Sequence, residues 1–178
     1  MKKLFLFAVV ALSMGLVACT GSNNTSTSTS ASNSDAAQNA EEITDGNTFE
    51  GKNYSVTYPK DWKETFSSSN ILNAKSADEL MSLSMNFTET GPSVDQLEET
   101  GANMKIVNQS EYKEVGDPKI DGNVVVVRRV GKDGEVEFSY VKVLDGTSGV
   151  MGSVKAPGDK ESDAEKIMQS ILASVKMK

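Results

Sequence analysis

Apolar and polar residues alternate in several short segments of this chain, a period of two that predicts half-buried β-strands. The first segment is 54–58, and Pro59 is expected to end it because proline cannot donate to a strand ladder. The other predicted strands are residues 71–74, 80–87, 111–115, 123–130, 135–144 and 148–155. Residues 124–127 are continuously apolar, which predicts a central strand covered on both faces. Asp-Gly pairs at 121–122, 133–134 and 145–146 predict hairpins with type I′ turns, which require positive φ at both central residues.

A first helix is predicted from Ser93 to about residue 104, with Val94 and Leu97 facing the core. Ser93 and Gln96 have the spacing of a capping box, in which each side chain accepts a hydrogen bond from the other residue's backbone N–H. Gly101 is expected to weaken the last turn, because glycine has a low helix propensity.

The C-terminal segment has a continuous apolar stripe with the three- and four-residue spacing of a helix. Its members are Ala164, Ile167, Met168, Ile171, Leu172 and Val175. Ser162 and Glu165 have capping-box spacing at its start. Two helices packed on a central antiparallel sheet make an α+β fold, which is the fold class that the sequence predicts.

The N-terminal residues have the pattern of a secretory signal peptide, in which Lys2 and Lys3 precede an apolar segment at 4–18. This segment is too short to cross a bilayer as a helix, which takes about 20 residues. Leu-Val-Ala-Cys at 16–19 resembles the lipobox of bacterial lipoproteins. That resemblance implies that the thiol of Cys19 receives a diacylglycerol and that Cys19 becomes the first residue after cleavage.

Residues 20–47 are rich in Ser, Thr, Asn and Ala, and Ile43 is their only large aliphatic residue. Such a composition buries too little apolar surface to offset the entropy of ordering, so it predicts a disordered tether. A tether of this length has an r.m.s. reach of roughly 30 Å. The predicted organisation is therefore a signal peptide at 1–18, a lipidated cysteine and tether at 19–47, and one folded domain at 48–178.

Composition and charge narrow the possible functions. The chain has no histidine and one cysteine, which excludes a Ser-His-Asp triad, a histidine-ligated metal and an intramolecular disulfide. Residues 48–178 carry 16 basic and 21 acidic side chains, a net charge near −5, and the sequence pI is about 4.7. This negative charge opposes binding to the phosphates of nucleic acids.

Tyr-Ser-Val-Thr-Tyr-Pro-Lys-Asp-Trp-Lys at 54–63 resembles the opening of PsbP-type domains, where a strand ends in Tyr-Pro and a Trp follows. PsbP is the extrinsic lumenal subunit of plant photosystem II. The resemblance implies an αβα sandwich, in which helices cover both sides of a central antiparallel sheet, and an accessory role in binding other proteins. A family metal site that uses histidine has no counterpart here. Tyr58, Pro59 and Trp62 are interpreted as a corner of the core and not as a ligand platform.

Three acidic residues are candidates for ligand binding. Asp95, Glu98 and Glu99 have a spacing that places them on one helical face, where they would bind a divalent cation, act as acid and base, or form a solvated surface. No residue is predicted to be catalytic or to bind a resident metal.

Charged residues in the predicted hairpins are interpreted as structural. Glu135 and Glu137 are two residues apart on one strand and are expected on its water-facing side. Arg128 and Arg129 follow the valine segment, so one arginine is expected on each face of the sheet.

These patterns predict a lipid-anchored protein of the cell envelope that acts as a non-catalytic protein-binding or accessory module, without a cofactor. Its expected partners are the membrane, through the lipid on Cys19, and another envelope protein; no nucleic acid is expected. Thr20 after the cysteine favours the outer membrane if the host is diderm. Two alternatives stay open, namely a protein that binds a small ligand or divalent cation and a hydrolase that uses only carboxylates, such as a glycosidase.

Overall fold

The strands of the domain pair into two antiparallel sheets. The computed structural model describes residues 43–178, so the predicted signal peptide, Cys19 and most of the predicted tether lie outside the described residues. The strands are β1 Gly46–Glu50, β2 Tyr54–Pro59, β3 Lys63–Ser67, β4 Ile71–Lys75, β5 Ser82–Thr88, β6 Tyr112–Val115, β7 Lys119–Asp121, β8 Val124–Gly131, β9 Glu135–Asp145, β10 Ser148–Pro157 and β11 Lys176–Met177. The helices are α1 Leu97–Ile106 and α2 Glu161–Ser174.

The larger sheet has eight strands in the order β3-β4-β5-β10-β9-β8-β6, with β7 also paired to β8. The smaller sheet has the order β1-β2-β11. Helix α2 packs against β2, β9 and β10, whereas α1 packs against β7 and β8. The two helices contact alternate residues of β9, so they lie on opposite faces of the large sheet. The predicted α+β class, with helices on both sides of an antiparallel sheet, is confirmed.

Most of the apolar core lies between α2, the small sheet and one face of the large sheet. The stripe predicted for the last helix faces this core, and Ala164, Met168, Ile171 and Leu172 are buried. A smaller cluster on the other face joins Leu97 of α1 to valines of β8 and β9. Neither α1 nor α2 has the length and apolar character that crossing a bilayer takes.

The start of α1 differs from the prediction. A 3₁₀ turn, Val94–Gln96, precedes the helix, and Val94 is 48% exposed instead of facing the core. The side chain of Gln96 accepts a hydrogen bond of 3.0 Å from the backbone N–H of Ser93, as the capping box predicts. The chain therefore begins to turn at the expected residue, but the tighter 3₁₀ geometry rotates Val94 away from the sheet.

Gly101 has a packing role that helix propensity does not reveal. A Cβ at this position would lie 2.7 Å from Cβ of Pro118 and 2.9 Å from Cγ2 of Val125. Helix α1 thus approaches the sheet at a point where only glycine fits.

The first turn of α2 has a different cap from the one predicted. The helix begins at Glu161 with Lys160 at the N-cap position, and no side chain forms a capping hydrogen bond there. The capping box expected from Ser162 and Glu165 is therefore wrong. A 3₁₀ turn, Gly158–Lys160, leads the chain directly into the helix and leaves Ser162 inside its first turn.

The hairpin turns also differ from the prediction. Positive φ occurs at Gly122, Gly134 and Gly146 but not at the aspartates before them. Asp121 pairs with Val124, and Asp145 pairs with Ser148, so each aspartate is the last residue of its strand. In these two turns glycine is the first of two central residues and the one with positive φ, as in type II′ and not type I′ turns. The Asp133-Gly134 turn is longer, because the last strand pair that flanks it is Val130 with Val136.

The boundary of the folded domain lies earlier than residue 48. Strand β1 begins at Gly46, and the side chain of Ile43 packs against the core. Strand β8 is an internal strand of the large sheet, with β9 on one side and the short strands β6 and β7 on the other. Val125 and Val127 are fully buried, and Val124 and Val126 pack against the main core on the opposite face, as the apolar segment predicts.

Replacing Gly101 by alanine tests the close approach of α1. Intrinsic propensity alone would stabilise the helix by about 1 kcal/mol. We expect the opposite, a loss of about 1–2 kcal/mol in the free energy of unfolding, because the added methyl group overpacks the contact with Pro118 and Val125. Urea denaturation measures the change. The variant A102G, at an exposed position of the same helix, gives the effect of helix propensity alone. A stabilised G101A variant would contradict the packing role.

Candidate functional site

The acidic residues singled out as binding candidates lie at the surface. Asp95 is in the 3₁₀ turn before α1, and Glu98 and Glu99 are in the first turn of the helix. All three are exposed, and the positive end of the helix dipole favours acidic residues at this position. Within residues 43–178, no three acidic or cysteine side chains are grouped so that they could hold a metal ion. Cation binding by these residues stays a prediction.

The aromatic residues of the Tyr-Pro motif lie in the core. Tyr58 is 4% exposed and Trp62 is 3% exposed. The Tyr58 hydroxyl donates to Glu64 at 3.0 Å, and the backbone N–H of Trp62 donates to the carbonyl of Pro59 at 3.0 Å. Pro59 itself is partly exposed and lines a surface depression of about 430 Å³ together with Ile43.

A buried polar cluster occupies the α1 side of the large sheet. Glu137 was expected on the water-facing side of its strand, but it is only 9% exposed, so that expectation is wrong. The predicted alternation of side chains is nevertheless observed, because Glu137 points away from the α2 core. This face is covered locally by β6 and by the end of α1, which excludes water from the carboxylate.

Four donors surround the carboxylate of Glu137, and these five residues are called the Glu137 cluster. Oε1 accepts hydrogen bonds from Ser139 at 2.6 Å and from Arg129 at 3.3 Å. Oε2 accepts from the Tyr112 hydroxyl at 3.1 Å and lies 3.1 Å from Nζ of Lys155. A carboxylate has about four acceptor positions, so Glu137 is saturated by protein donors.

The pKa values of the cluster follow from these contacts. Burial raises the pKa of the Glu137 carboxyl, but the hydrogen bonds from Ser139 and Lys155 outweigh it and leave the pKa below its ordinary value. The hydrogen bond to Glu137 raises the pKa of Lys155. Burial and the nearby carboxylate raise the pKa of the Tyr112 hydroxyl. Glu137 therefore stays ionised, and Lys155 and Tyr112 stay protonated, at neutral pH.

Arg129 joins this cluster to helix α1. Its side chain is 9% exposed, and its guanidinium donates to Ser139 and to the backbone carbonyl of Met104 in the last turn of α1. The guanidinium also lies over the ring of Tyr112, 5.2 Å from the centroid, in cation–π geometry. A cation at this position compensates the partial negative charge of the helix C-terminus.

A second cation from the sheet has the same role at the other helix. Nζ of Lys142 donates to the carbonyl of Leu172, near the end of α2, at 2.5 Å. Burial lowers the pKa of this lysine. Lys142 and Arg129 lie on neighbouring strands and point to opposite faces, so the large sheet supplies a cation to the C-terminus of each helix.

The chemistry available beside the Glu137 cluster is limited. A surface depression of about 320 Å³ is lined by Tyr112, Lys132, Asp133 and Lys155, among others. Glu137 reaches it but has no acceptor position left for the proton of a substrate. The cluster therefore connects strands β6, β8, β9 and β10 to each other and to helix α1, which is a structural role.

The sequence contains one signal that points to this cluster. Arg129 and Glu137 are direct cross-strand partners, and the Asp133-Gly134 turn lies midway between them. Counting equal numbers of residues away from the turn along both strands therefore pairs Arg129 with Glu137, two opposite charges on one face of the sheet. The burial of the pair was not detectable, because α1 and Tyr112 reach it from distant parts of the chain.

Comparisons with known proteins find solved structures that are similar in fold but have low sequence identity to this chain. No family model matches the sequence, and no curated protein matches it. The solution structure of cyanobacterial PsbP (CyanoP) from Synechocystis sp. PCC 6803 aligns with a TM-score of 0.49 and 12% identity, over 74% of this chain and 92% of that chain. A crystal structure from Bacteroides thetaiotaomicron VPI-5482 aligns with a TM-score of 0.44 and 11% identity, over 73% of this chain and 49% of that chain. The assignment of fold class therefore rests on the strand pairing itself.

Replacing Glu137 by glutamine tests the buried cluster. We expect a loss of about 3 kcal/mol in the free energy of unfolding at pH 7, because Arg129 would remain buried without a counter-charge. Since folding lowers the pKa of Glu137, its contribution is complete above the ordinary value of 4.5 and disappears as the pH falls through the lower folded value.

The difference between wild type and E137Q, measured by urea denaturation from pH 7 to pH 3, should therefore shrink below pH 4.5. E135Q changes an exposed residue of the same strand and should alter stability by about 0.5 kcal/mol or less at pH 7. Equal effects of the two substitutions at pH 7 would refute the role given to Glu137.

Proposed function

We propose that this chain is a lipid-anchored protein of the cell envelope whose PsbP-like domain is a non-catalytic accessory module that binds another envelope protein. The observation that supports lipid anchoring is the sequence Leu-Val-Ala-Cys at 16–19, which ends an apolar segment preceded by two lysines. Cys19 is the single cysteine of the chain and has no thiol partner. Two acyl chains anchor a protein far more firmly than one, since each buried CH₂ contributes about 0.8 kcal/mol.

Two features support a binding role without catalysis. The buried carboxylate of Glu137 is saturated by protein donors, so it is not poised as a general base. An apolar pair, Ile106 and Val107, is 65% and 54% exposed at the end of α1. Exposed neighbouring apolar side chains are typical of protein-binding surfaces. The element order and the Tyr-Pro motif support the PsbP-like assignment.

Replacing Cys19 by serine tests the anchor. We expect C19S to lose incorporation of labelled fatty acid and to leave the membrane fraction or accumulate with its signal peptide attached, because serine is not a substrate for thioether formation. Labelling in cells, followed by fractionation, measures both effects. S22A, close by in the same segment, should be labelled like the wild type. Persistent acylation of C19S would refute the proposed site.

The accessory role is tested by photo-crosslinking in intact cells. A crosslinking side chain at Val107 should give a reproducible adduct with one envelope protein, and the same side chain at exposed Lys166 on α2 should not. Identical adducts from both positions, or none from Val107, would argue against a protein partner at the end of α1.

A further inference from the structure

The large sheet has one face that the helices cover only in part. Helix α1 packs against β7 and β8, at one end of the strand order. On the same face, β3, β4 and β5 carry exposed side chains, among them Phe66, Lys75 and Ser84. We call the α1-side surface of β3, β4, β5 and β10 the open face.

Strand register sorts the open face into rows, because residues directly opposite each other on antiparallel strands point to the same side. One row runs from Phe66 through Asn73 and Ser84 to Ser153. The hydroxyl groups of Ser84 and Ser153 lie on neighbouring strands at the strand spacing of about 4.8 Å, whereas Oδ1 of Asn73 is buried without a hydrogen-bond partner among the described residues. The Phe66 ring, 55% exposed, stands at the sheet edge where the row ends. Ser84 and Ser153 form no side-chain hydrogen bond to any residue within 43–178.

The neighbouring row is cationic. Lys63 and Lys75 are direct cross-strand partners, both are exposed, and neither forms an ion pair within the described residues. Ser82 continues the row on β5, and the row ends on β10 at Lys155, whose charge is already paired with Glu137. Like charges directly opposite each other destabilise a strand pair, which an anion bound between them would relieve.

The charge of the open face is opposite to that of the domain. Residues 48–178 have a net charge near −5. By register, however, the α1-side positions of β3, β4, β5 and β10 that pair with one another include no carboxylate. Glu64, the acidic residue of β3, pairs with buried Ala74 and points to the other side. The open face is thus electrostatically complementary to an anionic partner.

We propose that the open face binds an acidic glycan, a polysaccharide whose sugar units carry carboxylate or phosphate groups. The hydroxyl groups of Ser84 and Ser153 match the vicinal hydroxyls of sugars, with which they exchange hydrogen bonds. Phe66 offers its ring to the C–H face of a sugar, and Lys63 and Lys75 bind the acidic substituent. Binding to a lipid surface would favour several exposed apolar side chains. Among the residues that the structure describes, Phe66 is the sole exposed large apolar residue on the open face.

The test uses the full chain in detergent micelles and four probes. They are polygalacturonate as an acidic glycan, dextran as a neutral glycan, polyglutamate as an anion without sugar, and phosphatidylglycerol vesicles. We expect polygalacturonate to bind at least about tenfold more tightly than dextran or polyglutamate. Dextran lacks the acidic groups that the lysines bind, and polyglutamate lacks the sugar hydroxyls and the C–H face. Binding to the immobilised probes is measured by biolayer interferometry.

Matched variants locate the binding surface. K75Q and F66A should each weaken polygalacturonate binding about fivefold, through loss of one charge contact and one stacking contact. K166Q on exposed α2 and L80A, an exposed apolar position outside the strands, should leave it unchanged. Thermal denaturation curves close to wild type show that the variants are folded.

Several results would overturn the proposal. Equal binding of polyglutamate would mean a general anion surface, and preferential vesicle binding sensitive to K75Q would mean a lipid-headgroup surface. Absence of polygalacturonate binding, or equal losses in K166Q and K75Q, would exclude the open face as a glycan site. Each outcome is distinguishable from failure of the proposed function, because acylation of Cys19 and crosslinking at Val107 are measured independently.

Discussion

The ionised carboxylate of Glu137 is the constraint on which the α1 side of this domain depends. A buried charge is tolerated only when donors replace the water that it has lost, and here Ser139, Arg129, Tyr112 and Lys155 do so. These donors lie on β6, β8, β9 and β10, so satisfying one carboxylate fixes four strands relative to each other. The same saturation leaves Glu137 no free acceptor position for the proton of a substrate.

The cluster also positions a helix. Arg129 extends from the sheet to the final turn of α1, and Lys142 extends from the opposite face to the final turn of α2. The last carbonyl groups of a helix have no partner within it and carry partial negative charge, so a cation from the sheet satisfies both needs. Both helices are therefore bound to the sheet by apolar packing along their length and by a charged hydrogen bond at their end.

The two faces of the large sheet have different consequences for function. Helix α2 and the small sheet bury one face in the main core, whereas within residues 43–178 the other face is covered by α1 at β7 and β8 and carries exposed side chains on β3, β4 and β5. That difference creates a polar surface with exposed lysines on an acidic domain, and it separates the surface proposed to bind a glycan from the end of α1, which is proposed to bind a protein. If the domain is tethered by Cys19, both surfaces would act within a short distance of the membrane.

Local patterns in the sequence determined the element types. The alternation at 54–58 and the apolar stripe of the last helix were sufficient for β2 and α2, because both segments bury one continuous face. Short polar edge strands such as β7 and β11 have no such pattern and were missed. The burial of Glu137, the need for glycine at position 101 and the exposure of Val94 were decided only by tertiary structure. Each depends on segments distant in the chain, and local periodicity contains no information about how closely those segments approach.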